Sequence, residues 1–159
     1  MRQALLWGLV LSGCVPSQER MCPPWWEYAP SGVSRLSWIG KVTPDSIQRG
    51  EQAAPYYKDS LGIVFRHRLP TAGLLWVEYF YQRDDIITLS FTIEGLDFAQ
   101  IVQIYTQLRQ CYTQRYGKPR GVVGELIWQI SDSLLLYLGL SPERNYLHAT
   151  FSKITPLKR

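Results

Sequence analysis

Histidine and cysteine are scarce in this 159-residue chain, with two of the first and three of the second. That scarcity narrows its chemistry. A bound metal needs several His, Cys or carboxylate ligands converging on one point. His67 and His148 lie on separate apolar-alternating segments, His67 beside the predicted core and His148 facing out, so they make poor co-ligands. There is no paired Cys-x-x-Cys, no Gly-rich phosphate loop and no Gly-x-Ser-x-Gly elbow. The adjacent Asp84 and Asp85 and the Ser131-Asp132-Ser133 triplet read as turn residues rather than as converging catalytic groups. No catalytic residue, metal or cofactor is expected, and the chain reads as non-enzymatic. Long apolar runs are missing too. Nowhere do 18 apolar residues follow one another, so no segment is predicted to cross a bilayer as a helix. Seventeen basic against thirteen acidic residues give a net charge of +4 without a clustered Lys/Arg patch, which argues against nucleic-acid binding. Repeats and low-complexity tracts are absent, and the length suits one domain.

The N-terminus is more specific. Met1-Arg2 supplies a positive charge and Ala4 to Leu11 is an apolar run. This run is shorter than a membrane span but right for the centre of a secretory signal. It ends in Leu11-Ser12-Gly13-Cys14. The sequence resembles the lipobox of bacterial lipoproteins. The resemblance implies removal of residues 1–13, attachment of lipid to the Cys14 sulfur and acylation of its new amino group. Several acyl chains make such anchoring stable without a transmembrane helix. Val15, where an Asp would favour inner-membrane retention in enterobacteria, resembles outer-membrane sorting. The expected location is therefore the outer membrane, lipid-anchored and facing the periplasm. There the mild positive charge reads as a solvated surface or as attraction to anionic lipid.

Cys22 and Cys111 remain after processing. In an oxidising compartment such a pair reads as a disulfide, with two buried free thiols as the alternative. Residues 14–24 read as lipidated Cys and tether. The eight residues from Cys14 to Cys22 reach at most about 29 Å, which holds the domain against the membrane surface. Residues 25–60 combine Pro30, Pro44 and Pro55 with Trp25, Trp26, Tyr28 and Trp38. Such proline density opposes long regular elements, and such aromatic density opposes disorder. The segment is expected to be an irregular arm packed on the domain, with a short strand near Arg35–Val42 and a helical turn beginning at Pro44.

From residue 61 to 154 the pattern becomes regular. Ile63, Phe65, His67 and Leu69 alternate with polar residues or Val64, Leu74 to Gln82 is rich in aromatic and β-branched residues, and Ile87, Leu89, Phe91 and Ile93 alternate with Thr88, Ser90 and Thr92. Asp97 offers an N-cap with Gln100 as its capping-box partner. Phe98, Ile101, Tyr105, Leu108 and Tyr112 then recur at helical spacing, and Gly117-Lys118-Pro119 stops the helix. Three more strands follow around Leu126–Ile130, Leu134–Leu140 and Tyr146–Phe151, with residues 155–159 a tail. This order predicts an α+β fold: an antiparallel sheet of about five to six strands packed on one long helix. Residues 62–151 resemble small α+β domains of exported bacterial proteins, a likeness that implies no activity.

A sheet covered by one helix should have one wet face. Here Leu74, Trp76 and Phe80, then Ile127, Leu135, Tyr137 and Tyr146, make the second face partly apolar. Either the Trp-rich arm covers it, or part of it stays open for a partner. In the second case Trp76, Phe80, Arg66, Arg68, Tyr137 and Tyr146 are the candidate contact residues, since aromatics and Arg concentrate in hot spots. The resulting expectation is an accessory or assembly factor of the envelope that binds a protein partner, with a lipid-, lipopolysaccharide- or glycan-binding protein as the alternative.

Overall fold

A computed structural model describes residues 22–71, 73–83 and 85–154. The segment expected to be a signal and lipobox, Cys14 among it, and the tail 155–159 lie outside the described residues.

Three strands, β3 (Gly62–Arg68), β4 (Leu74–Gln82) and β5 (Asp85–Glu94), form an antiparallel meander. Together with β1 (Gly40–Lys41) and β2 (Tyr57–Lys58) they make one half of the sheet. The other half is a second meander of β6 (Arg120–Val122), β7 (Glu125–Ser131), β8 (Leu134–Ser141) and β9 (Tyr146–Lys153). β9 pairs with β5, which gives one antiparallel sheet in the order β2-β3-β4-β5-β9-β8-β7-β6, with β1 paired separately to the start of β5. The antiparallel α/β architecture matches expectation, but the sheet has nine strands instead of five or six. The strands not expected, β2 and β6, are two and three residues long, and β1 is a two-residue remnant of the strand expected near Arg35–Val42. That is too short for a period-two pattern to register.

Helix α3 (Phe98–Tyr116) joins the two meanders. Its capping box forms as expected: Gln100 N–H donates to Asp97 Oδ1 at 2.8 Å and Asp97 N–H to Gln100 Oε1 at 3.1 Å. Ile101, Tyr105, Leu108, Cys111 and Tyr112 are its buried stripe. Phe98, expected in that stripe, is 47% exposed at the first position of the helix. The helix packs across β7, β8 and β9. Tyr112 meets the edges of Trp128 and Phe151 at 5.8 and 6.0 Å, and Trp128 Nε1–H donates to the Gly117 carbonyl at the helix end.

The N-terminal arm covers the rest of the same face. It is more regular than expected, with a single turn α1 (Pro24–Glu27), a 3₁₀ turn at Arg35–Trp38 that replaces the first half of the strand expected over Arg35–Val42 and leaves β1 as its end, and the eight-residue α2 (Pro44–Glu51). Thr43 caps α2 and Pro44 occupies its first position, a pairing that favours helix initiation. Trp26 stacks on Phe91 at 4.8 Å and its indole N–H donates to the Tyr112 hydroxyl at 2.6 Å. Trp38 lies over α2 at Gly50, where any Cβ would run into the indole, and against Tyr79 at 5.8 Å. Cys22 and Cys111 form a buried disulfide with Cα atoms 5.4 Å apart, tying the start of the arm to α3. Their sulfurs lie close to Glu27, but the bridge leaves no thiolate to bind an ion. Glu27 instead pairs with Arg115 of α3.

Trp26 and Trp38 therefore do not cover the second face of the sheet, which the arm meets instead through Tyr56, edge to face on Trp76 at 5.0 Å. Trp26 and Trp38 reach the helix-covered side because that side offers an unoccupied half, lined by Phe65, Val77, Tyr79 and Phe91 beside the helix. No described helix is long and apolar enough to cross a membrane.

Candidate functional site

The uncovered face carries most of the sequence-predicted surface residues. Cross-strand register sets them in rows. One row runs Arg66, Trp76, Thr92, His148 and Gly139 across β3, β4, β5, β9 and β8. The next runs Val64, Glu78, Ser90, Thr150, Tyr137 and Ile127. A third holds Gly62, Phe80, Thr88, Ser152 and Leu135. Side chains alternate between faces along each strand, so all of these share one side.

Two aromatic clusters stand at opposite ends of this face. In the first, the Arg66 guanidinium lies over the Tyr56 ring at 5.1 Å and the Trp76 ring at 5.7 Å, while the two rings meet edge to face at 5.0 Å. Trp76 Nε1–H donates to Glu94 at 2.8 Å, which fixes the indole. Phe80, two rows along on the same strand face, is 40% exposed. Glu78 is half-buried among them, and desolvation pushes its carboxyl upward. In the second cluster, His148 lies between Tyr137 and Tyr146, with ring centroids 5.0 and 5.6 Å away. Gly139 makes this possible, since a Cβ there would run into the imidazole. Burial pushes His148 down, against a smaller opposing pull from Glu125, and its Nδ1 has no partner among the described residues. Trp76 and His148 are two strands apart in one row, roughly 10 Å. Between the clusters lies a strip of hydroxyls, in which Ser90 and Thr150 are 3.0 Å apart and Thr88 and Ser152 3.5 Å.

The structure thus brings Arg66 and Trp76 together, leaves Phe80 two rows away on the same strand face, and sets Tyr137 and Tyr146 on either side of His148. Arg68 shares the side of Arg66 and Trp76 by alternation along β3, and at the end of the strand it also lines a cleft at the seam with the arm. Tyr56, central to the first cluster, was not predicted. It precedes a two-residue strand and follows a proline, so no periodicity marks it.

A second constellation lies beneath the covered face. Glu51, fully buried at the end of α2, accepts Arg35 Nε–H at 2.7 Å and Nη2–H at 2.9 Å, and the Tyr79 hydroxyl at 2.5 Å. His67 Nε2 lies 2.8 Å from its other oxygen, though its N–H line misses it. Burial alone would raise the Glu51 pKa. The bonds from Arg35 and Tyr79, the nearby His67 imidazole and the Arg35 charge outweigh this and bring it down to about 2. Tyr79 is raised well above its ordinary value by burial and by Glu51. Arg35 also donates to the Trp25 and Trp26 carbonyls. The network therefore fastens the arm to β3 and β4, and its members bond chiefly to one another. Neither Arg35 nor Glu51 was singled out from sequence. A charged pair in an irregular segment looks solvated until the tertiary contacts are known.

Several clefts open along the arm's seam; one of about 540 Å³ lies between Thr43, Asp59, Tyr81 and Arg83, and two others adjoin each other near Trp25. Of that adjoining pair one, about 360 Å³, is lined by Trp25, Tyr28, Pro30, His67, Arg68 and Pro70 among others, and its walls are mostly apolar. The other, about 280 Å³, shares Trp25, Leu69 and Pro70 with it and extends to Gln103, Ile104 and Gln107 of α3. Comparison with known protein families, with curated proteins and with solved structures finds no match for this chain.

Proposed function

We propose that this chain is a lipid-anchored protein of the bacterial outer membrane, facing the periplasm, and that it acts as a non-enzymatic docking or assembly factor. Its uncovered sheet face receives a partner protein. The observation that carries this reading is the arm's choice of side. With Trp26 and Trp38 packed on the helix-covered face, the described residues leave Arg66 and Phe80 exposed and Trp76, Tyr137 and Tyr146 partly exposed on the other, with Tyr56 lying against Trp76. Aromatic anchors with an interposed Arg, flanked by hydroxyls able to bond a neighbour, are the composition of a protein-recognition patch. The lipobox residues Leu11 to Cys14 support the anchor. Direction favours a protein over a lipid on this face. Cys22 is bonded to α3, so the tether leaves from the helix layer, and the uncovered face lies on the far side of the sheet.

The test is affinity capture from detergent-solubilised envelope with the full acylated chain and with a variant carrying Arg66→Glu and Trp76→Ala. The reading expects a stoichiometric partner that is lost with the variant and kept by an Arg109→Glu control on α3, with circular dichroism unchanged. Equal capture by all three chains, or recovery of glycolipid alone, would overturn it. Mass spectrometry of the peptide containing Cys14 reads the anchor independently.

A further inference from the structure

The seam between arm and sheet has features that the docking face does not explain. Two of its clefts meet at a common wall of Trp25, Leu69 and Pro70, forming a largely apolar trough. Trp25 is half-buried, Tyr28 is 46% exposed, and Pro24, Pro30 and Pro70 are exposed around them. No Asp or Glu lines either cleft. Arg68 stands exposed at the first cleft and forms no ion pair with another described residue, whereas Arg35 is consumed by Glu51 and two backbone carbonyls. Apolar walls, an amphipathic Trp and Tyr, and a free cation without a competing carboxylate are the chemistry of a membrane interface.

Position points the same way. Pro24 and Trp25 follow Cys22 by two and three residues, and Cys22 is pinned to α3. Cys22 is eight positions beyond Cys14, a reach of at most about 29 Å, so the chain arriving from an acylated Cys14 enters the folded body at Cys22, two residues before Pro24 of the cleft wall. We propose that the trough is a lipid-contacting site: the apolar cleft around Trp25 takes acyl chain from the bilayer surface, and Arg68 holds an anionic phospholipid headgroup. The site rests on the anchored reading above and gives it an orientation, with the seam against the membrane and the uncovered sheet face turned away.

The experiment reconstitutes the full acylated chain in vesicles of phosphatidylcholine, with and without phosphatidylglycerol, doped with a phospholipid carrying a diazirine on its acyl chain. Adducts are mapped by mass spectrometry after photolysis. The proposal expects labelling within residues 23–30 and 67–71 and little within 74–82 or 134–141. Arg68→Glu, an exposed change that leaves the fold intact, should reduce that labelling roughly fivefold or more in phosphatidylglycerol vesicles and leave it unchanged in phosphatidylcholine alone. Labelling confined to residues before Cys22, labelling concentrated on the uncovered sheet face, or no response to Arg68→Glu would each overturn the site. The acyl mass on Cys14 is read from the same digest, so loss of the anchor and loss of the site are separate results. A chain without acyl mass that still labels at 23–30 and 67–71 when mixed with vesicles would retain the site and remove the anchor.

Discussion

On the helix-covered face, Phe65, Phe91, Phe151, Trp26 and Trp128 are each within 1% of full burial. On the other face Phe80 and Ile127, carried by the same strands, each keep 40% of their surface. The strands alone do not account for the difference, since both faces bear large side chains. It comes from what is bonded across the covered face. The disulfide, the Trp26–Tyr112 hydrogen bond and the Arg35–Glu51–Tyr79 network each join a distant segment to the sheet or helix. The hydrogen bonds of the uncovered face among described side chains, such as Trp76 to Glu94 and Ser90 to Thr150, run between neighbouring strands and recruit no further element. One face is therefore built to be closed by its own chain and the other is merely kept in order.

The strongest way to break this comparison is to cut the disulfide. Its 89-residue separation corresponds to about 4.5 kcal/mol of loop entropy. Urea unfolding of the Cys22→Ala, Cys111→Ala chain should show a loss of that order, with the remaining folded population keeping the far-UV spectrum of the sheet. Trp26→Ala should cost about 4 kcal/mol, through the emptied volume over Phe91 and the stranded Tyr112 hydroxyl. Chemical denaturation measures the loss, and near-UV circular dichroism should weaken with it.

Acid sharpens the comparison next. Glu51 titrates from an ordinary value of 4.5 when unfolded to about 2 when folded. Its folded value is the lower one, so its contribution is complete above about 4.5 and is lost as the pH falls toward 2. The loss amounts to about 3 kcal/mol. Urea midpoints at pH 6, 4 and 3 should fall steeply for the native chain. Glu51→Gln should start lower and decline less over the same range. The smallest effect belongs to the uncovered face: Trp76→Ala should change stability by less than about 1 kcal/mol, because it removes an exposed cation–π contact and one part-solvated hydrogen bond. A loss comparable with Trp26→Ala would show that the two faces are not different in kind.

Gly139 shows why much of the uncovered face escaped prediction. From sequence it is a glycine inside an apolar strand, and only the β8–β9 register reveals that its missing Cβ admits the His148 ring. His148 was legible as outward-facing from the alternation of Leu147, Ala149 and Phe151, but its stacking between Tyr137 and Tyr146 was not. Trp76 and Arg66 were legible as residues of one face. Their pairing with Tyr56 required the short β2 pairing, which carries no period of its own.

The sequence by itself determined the six longer strands, the capped helix between the two meanders and the pairing of the two cysteines left after Cys14, because these follow from local alternation, local hydrogen bonding and the count of thiols. Tertiary structure alone decided which face the arm would close and which charged residues it would bury to do so. Trp26 could have packed on either side of the sheet as far as hydrophobicity is concerned. It lies where Phe91 offers a ring and Tyr112 a hydroxyl, and where Arg35 can meet Glu51 and Tyr79. Those partners converge only in three dimensions, and what they leave bare follows from that choice.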